Sequence, residues 1–176
     1  MKNKILLILT LFSINFVLIE FSNAQDQFSF DVSEIEVLEN GNKIIGSKRG
    51  KISTNDGIII EADNFTYKKI ENVLNANGNV IIDDTINDYK IYSNNIKYEK
   101  NNEEIFSKGK TKSEISSRFI LNSSDVVFLI DKKILSSNKD TSILDNEEQT
   151  YIKLKKFSFS IDEELLKGEK ILVNLG

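Results

Sequence analysis

Apolar and polar residues alternate along this chain in short runs, and the runs recur with a fixed period. Five segments carry two apolar residues separated by one position: Ile35/Val37, Phe65/Tyr67, Ile96/Tyr98, Val126/Phe128 and Phe157/Phe159. Nine residues after the first member of each pair stands an aliphatic residue: Ile44, Leu74, Ile105, Leu135 and Leu166. Eleven residues after it stands a small one: Gly46, Ala76, Ser107, Ser137 and Gly168. The segments start 30, 31, 30 and 31 residues apart. Side chains that share one face of a strand recur with period two, whereas a helix needs them three and four apart. The spacing therefore predicts about five strand–turn–strand units and an all-β chain. In the second unit Phe65 and Tyr67 lie on one face and 68–72 make the turn. Leu74, Ala76, Gly78, Val80 and Ile82 then return on that same face, with Asn75, Asn77 and Asn79 on the other.

The small column admits two explanations. A residue without bulk lets two sheet layers pack closely, or it keeps the floor of a groove low for an alkyl chain. Periodicity does not separate them.

Composition narrows the chemistry. The chain contains no Cys, His, Trp or Pro. Disulfide staples and lipid attachment to cysteine are excluded, as are thiol nucleophiles, imidazole bases and most transition-metal sites. No cofactor is expected. Turns must rely on Asn, Asp, Gly, Ser and Lys. Lys2 and Lys4 precede the apolar run Ile5–Ile19, and Ser22-Asn23-Ala24 follows it. This is the pattern of a secretory signal over residues 1–24, cleaved before Gln25 and leaving one domain over 25–176. A retained membrane anchor is the alternative, although the run falls short of the roughly 20 apolar residues of a spanning helix. Loss of Lys2, Lys4 and Glu20 makes the remainder one unit more acidic than the −4 of the whole chain. Mild acidity without a basic stripe argues against nucleic acid. An enzyme would have to rest on carboxylates such as Asp83/Asp84 or Asp125/Asp131. Each pair sits at a turn or strand end, where a solvated Asp is ordinary, so no enzyme is expected. Asp63 and Asp125 are expected to satisfy backbone donors at strand bends.

The run Ile60-Glu61-Ala62-Asp63-Asn64-Phe65-Thr66-Tyr67, followed by Leu74-Asn75-Ala76-Asn77-Gly78-Asn79-Val80, resembles the repeated signature of the OstA-like (organic solvent tolerance) domain. That domain occurs in the periplasmic bridge proteins of lipopolysaccharide transport and at the N-terminus of the outer-membrane lipopolysaccharide-assembly protein. The third unit keeps Ser93, Ile96, Tyr98, Ile105 and Gly109, and the fourth keeps Ser123, Asp125, Phe128 and Leu135; the first and fifth are faint. The cysteines that the outer-membrane member often uses are missing.

The resemblance implies an open V-shaped antiparallel β-jelly roll with an apolar interior, located in the periplasm. It implies as partners lipopolysaccharide, held by its lipid A acyl chains, and other OstA-like domains joined edge to edge; an outer-membrane barrel is a further implied partner. By positional match the lipid groove would be lined by Phe65, Tyr67, Leu74, Ala76, Ile96, Tyr98, Ile105, Val126, Phe128, Leu135, Phe157, Phe159 and Leu166. The apolar run Ile171–Leu175 would be an unpaired edge strand. Two alternatives stand beside this reading: an inner-membrane-anchored relative of the same bridge, and a parallel β-helix serving as an adhesin or structural repeat protein.

Overall fold

The computed structural model describes residues 28–175; the leader and its cleavage before Gln25 lie outside them. The described chain is almost entirely β-strand. β1 (Phe28–Leu38), β2 (Lys43–Thr54), β3 (Ile58–Ala62), β4 (Asn64–Lys68) and β5 (Val73–Asp84) are followed by β6 (Tyr89–Glu99), β7 (Glu104–Ile115) and β8 (Phe119–Leu129). β9 (Ile134–Ser137), β10 (Thr141–Asp145), β11 (Thr150–Leu154), β12 (Lys156–Ser160), β13 (Leu165–Glu169) and β14 (Leu172–Asn174) complete it.

The chain zigzags through two arms that meet at a crease. In the first arm the pairing order is β1-β2-β3-β5-β6-β7-β8-β10-β11-β14, which is ten strands. In the second arm β4 replaces β3 between β2 and β5, while β9, β12 and β13 continue from β8. The long strands β1, β2 and β5–β8 belong to both arms. All the pairings are antiparallel, so the parallel β-helix alternative is excluded. The fold is a β-jelly roll, as expected.

The repeat has a geometric origin. The five predicted units are the five hairpins of the second arm, β1/β2, β4/β5, β6/β7, β8/β9 and β12/β13. Within each, positions two and nine pair across the hairpin, as do positions zero and eleven in all but the fourth. Ladder after ladder, Val37, Ile44, Tyr67, Leu74, Tyr98, Ile105, Phe128, Leu135, Phe159 and Leu166 form one row across the arm. Nearer the crease runs a second row in which large and small residues take turns: Ile35, Gly46, Phe65, Ala76, Ile96, Ser107 and Val126, then Ser137, Phe157 and Gly168. The first arm answers with its own row: Phe30, Ile52, Ile60, Ile82, Ile91, Ser113, Leu121, Ile143, Ile152 and Val173.

The crease is built from broken strand geometry. Ladder register shifts between Val32 and Glu34, Asn77 and Val80, Tyr92 and Ile96, and Ser107 and Lys110. At these levels Gly78 and Gly109 take left-handed φ values of 81° and 82°, joined by Asn79 at 46° and Asp125 at 50°. Bulges of this kind bend a strand and expose unpaired backbone groups, and hydroxyls cap them. Ser93 Oγ donates to Asn95 O, Thr111 Oγ1 to Gly109 O and Thr141 Oγ1 to Lys139 O, at 2.9–3.2 Å. Asp125 accepts the Gly109 N–H at 2.9 Å, as expected of it. Asp63 departs from expectation: its carboxylate accepts from the side chains of Arg49 (3.2 Å) and Asn79 (2.8 Å), while its backbone N–H donates to Gly78 O. The Ala-Asp and Gly-Asn elements of the repeated signature are thus fixtures of the crease.

Candidate functional site

Twelve of the thirteen residues matched to the groove are buried, and Leu166, at the far end of its row, is half-buried. They share one interior with the inner face of the first arm, which the repeat did not single out: Ile52, Ile58, Ile60, Val80, Ile82, Tyr89, Ile91, Ile115, Phe119, Leu121 and Ile143. Through the middle hairpins the angle between the arms is filled by side chains, with Leu74, Tyr98 and Leu135 at 0% exposure. The ends are different. Ile35 and Val37 of the same two rows are 55% and 57% exposed on β1, and Ile171, Leu172 and Val173 are exposed at the other end. The second-arm rows, buried in the centre, run out to open apolar side chains at the β1 edge, and the first-arm row does so at the β14 edge.

The small column reflects the taper of the V. A Cβ on Gly46 would stand 3.2 Å from a Val32 methyl, and one on Gly168 would meet Leu154 Cδ1 at 2.4 Å and Lys156 O at 2.8 Å. Space is scarce near the crease, so every second residue there is small. Farther out, where the arms diverge, the row is large throughout.

At the mouth, aromatic rings from the two arms meet edge to face. Phe28 contacts Tyr67 at 4.9 Å and Tyr98 at 5.7 Å, Tyr89 contacts Phe128 at 4.8 Å, and Phe119 contacts Phe159 at 5.1 Å between centroids. Such pairs add roughly 0.5–1.5 kcal/mol each beyond their buried area. Two ion pairs span the same gap. Lys100 Nζ, on a second-arm turn, lies 2.9 Å from Asp56 on a first-arm turn, and Arg118 Nη1 lies 2.8 Å from Glu164. Burial works against the Lys100 charge, but hydrogen bonds to Glu103 and Asp56 outweigh it and hold the ammonium firmly protonated. Arg118 also grips Asp145 through Nε (3.0 Å) and Nη2 (2.8 Å). That hydrogen bonding pulls the Asp145 carboxyl below the ordinary range, against the opposing effect of burial.

Of the carboxylates weighed for catalysis, Asp83, Asp84 and Asp125 have structural surroundings, and Asp131 is exposed on a turn. Asp84 corrects the expectation of a solvated turn residue: it is 1% exposed and accepts hydrogen bonds from Ile86 N, Asn87 N and Asn87 Nδ2. Asp83 pairs with Lys90 at 2.8 Å, and Asp125 lies 3.6 Å from Lys139. Among the described residues no three acidic side chains are grouped to hold a metal ion. No described helix is long and apolar enough to cross a membrane.

Two ten-strand antiparallel arms, hinged on bulges and closed over an apolar interior, define the β-jelly-roll class. Among solved structures this chain is similar to LptH, the LptA-homologous periplasmic component of the conserved lipopolysaccharide transport device from Pseudomonas aeruginosa. The TM-score is 0.58 at 12% identity, over 68% of this chain and 94% of that one. No protein-family model and no curated protein matches the sequence.

Proposed function

We propose that this chain is a periplasmic conduit module of lipopolysaccharide transport, exported by residues 1–24. It would shield lipid acyl chains between its two arms and join like-folded partners through the sheet edges, with an outer-membrane barrel as a further partner. The observation that carries this reading is the continuity of the apolar rows. The rows run from edge to edge of their arms. Those of the second arm begin on exposed Ile35 and Val37 of β1 and that of the first arm ends on exposed Val173 of β14, while their opposite ends, Leu166 and Phe30, are half-buried. A closed core has no reason to extend its rows to both edges, whereas a module in a longer apolar path does. The shared fold with LptH, itself a component of a lipopolysaccharide transport device, supports the same reading. So does the nature of the edges: unpaired backbone groups on β1, β13 and β14 invite strand addition.

Two experiments test it. A photo-crosslinking residue at Leu74 or Phe128 should capture lipopolysaccharide in cells, and one at Thr66 or Asn75 on the outer face should not. Val173→Pro, which disrupts the β14 edge, should weaken association with neighbouring modules while the melting curve stays cooperative. Lipid captured equally from both faces, or from neither, would leave a β-sandwich without this role.

A further inference from the structure

The outer side of the first arm carries a groove that has no part in the conduit. Asn122, Ser142, Lys153 and Leu172 form one row across β8, β10, β11 and β14. Each stands one residue from the inward row of Leu121, Ile143, Ile152 and Val173, so their side chains point away from the interior. Beside this row the chain passes the crease at Asp140 before β10, Lys155 between β11 and β12, and Lys170 between β13 and β14. These residues line a cleft of about 390 Å³. Asn122 and Asp140 also border a second cleft of about 580 Å³, to which β7 adds Lys110. The two clefts join into one groove along the outside of the crease.

The groove is basic in a chain whose acidic residues outnumber its basic ones. Among the described residues, Lys110, Lys153, Lys155 and Lys170 pair with no carboxylate. The neighbouring acids are taken: Glu114 by Lys112, Asp125 by Lys139 and Glu169 by Lys156. Only Asp140 opposes the four lysines from within the lining. The repeat offers a comparison. Arg49 of the first unit and Asp63 of the second meet at the crease at 3.2 Å. The same positions of the fourth and fifth units hold Asp140 and Lys155, with the charges exchanged, and these line the cleft without pairing. Ammonium groups gathered without counter-charge favour an anion among them.

We propose that this groove binds an anionic sugar. Lys153, Lys155 and Lys170 hold its phosphate or carboxylate, Asn122 and Ser142 hydrogen-bond its hydroxyls, and Leu172 lies against its C–H face. A bare inorganic anion would leave most of such a cleft empty, since sites of this volume take molecules of many atoms. The sugar comes either free or as the headgroup of a lipid. The inference does not rest on the conduit reading, because the groove lies outside the arms.

The test titrates the full chain and follows the amide resonances of Asn122 and Ser142. The probes are glucosamine 6-phosphate, glucosamine, inorganic phosphate and lipopolysaccharide freed of its acyl chains by alkali. Glucosamine 6-phosphate should bind about fivefold more tightly than glucosamine or phosphate, and less tightly as salt is added. Lys153→Gln/Lys170→Gln should weaken it about tenfold and Asp140→Asn should tighten it about threefold, with melting temperatures unchanged. Damage to the fold would not produce effects of opposite sign. Deacylated lipopolysaccharide bound more tightly than the sugar phosphate supports the lipid headgroup as the source, and weaker binding supports the free sugar. Affinity that ignores the substitutions, phosphate bound as well as the sugar phosphate, or no binding at all would overturn the proposal.

Discussion

Lys100 and Asp56 lie 44 residues apart in the chain and 2.9 Å apart in space, each on a hairpin turn of a different arm. Their contact bridges the mouth of the V above the Phe28–Tyr98 ring pair. The arms therefore have to part at this point before anything long can lie between them. Lys100→Met should remove the bridge and leave Asp56 and Glu103 without their cation. We expect a stability loss of about 1 kcal/mol, typical of a partly exposed pair, together with faster uptake of an apolar dye. Urea denaturation and stopped-flow fluorescence read the two effects. Slower or unchanged uptake would mean that the pair does not govern opening.

Acid should loosen the same mouth from its other end. The Asp145 carboxyl is depressed by the Arg118 guanidinium and by the Glu147 and Glu148 backbone N–H groups. A depressed carboxylate contributes stability that is complete above its unfolded value, near 4, and is lost as pH falls through the folded value. Asp145→Asn should therefore be less stable than the parent at pH 7, and the gap should narrow below about pH 4. Thermal melts across that range check it; a constant gap would assign the effect to packing.

At the crease, Gly78 holds φ at 81°, and a Cβ there would stand 2.5 Å from Asp63 Oδ2. Gly78→Ala should cost about 1–2 kcal/mol, from the left-handed backbone and the crowding combined. In Asp63→Gly/Gly78→Ala the carboxylate and the Asp63 Cβ, 2.9 Å from the added methyl, are both gone, so the double variant should be less destabilised than the sum of the singles. Strict additivity in the denaturation cycle would refute the contact.

Phe65 and Ala76 face each other across the β4/β5 ladder, one large and one small in the row beside the crease. Phe65→Ala should cost about 3–5 kcal/mol by leaving a cavity, and Ala76→Phe about 1–3 by overpacking. Exchanging both residues keeps the volume of the pair and should recover a good part of the loss. A double variant no better than the worse single would show that the alternation is fixed by each residue's own neighbours.

The second arm was legible in the sequence because its hairpins are nearly equal in length. Equal hairpins put positions two and nine into the same ladder row every time, and positions zero and eleven in four of the five. The first arm was legible only in part, through residues such as Val80 and Ile82, because its inward face is interrupted by polar residues such as Thr54, Asp84, Ser113 and Thr141, each buried. Thr54 and Asp84 close their own turns with hydrogen bonds to backbone N–H groups, and the period-two pattern is lost there. Crease residues such as Asp63 and Asn79 declared themselves in the motif, but their contact and the further partner Arg49 did not, since these side chains come close only once the strands bend. The mouth contacts join turns of different hairpins, so no local spacing announces them.

Ten strands are an even number, and in an antiparallel sheet this decides the sense of the borders. Nine reversals separate β1 from the last described strand of either arm, so the two borders run in opposite directions. A second copy set border to border would meet the first without reversing the up–down alternation, and Ile35 would fall in step beside Gly168, large after small. Copies joined in the way proposed above would sit like tiles whose left and right sides match. In such a row the strand count of the described residues would set no limit on length, and a differently shaped piece at either end would have to supply it.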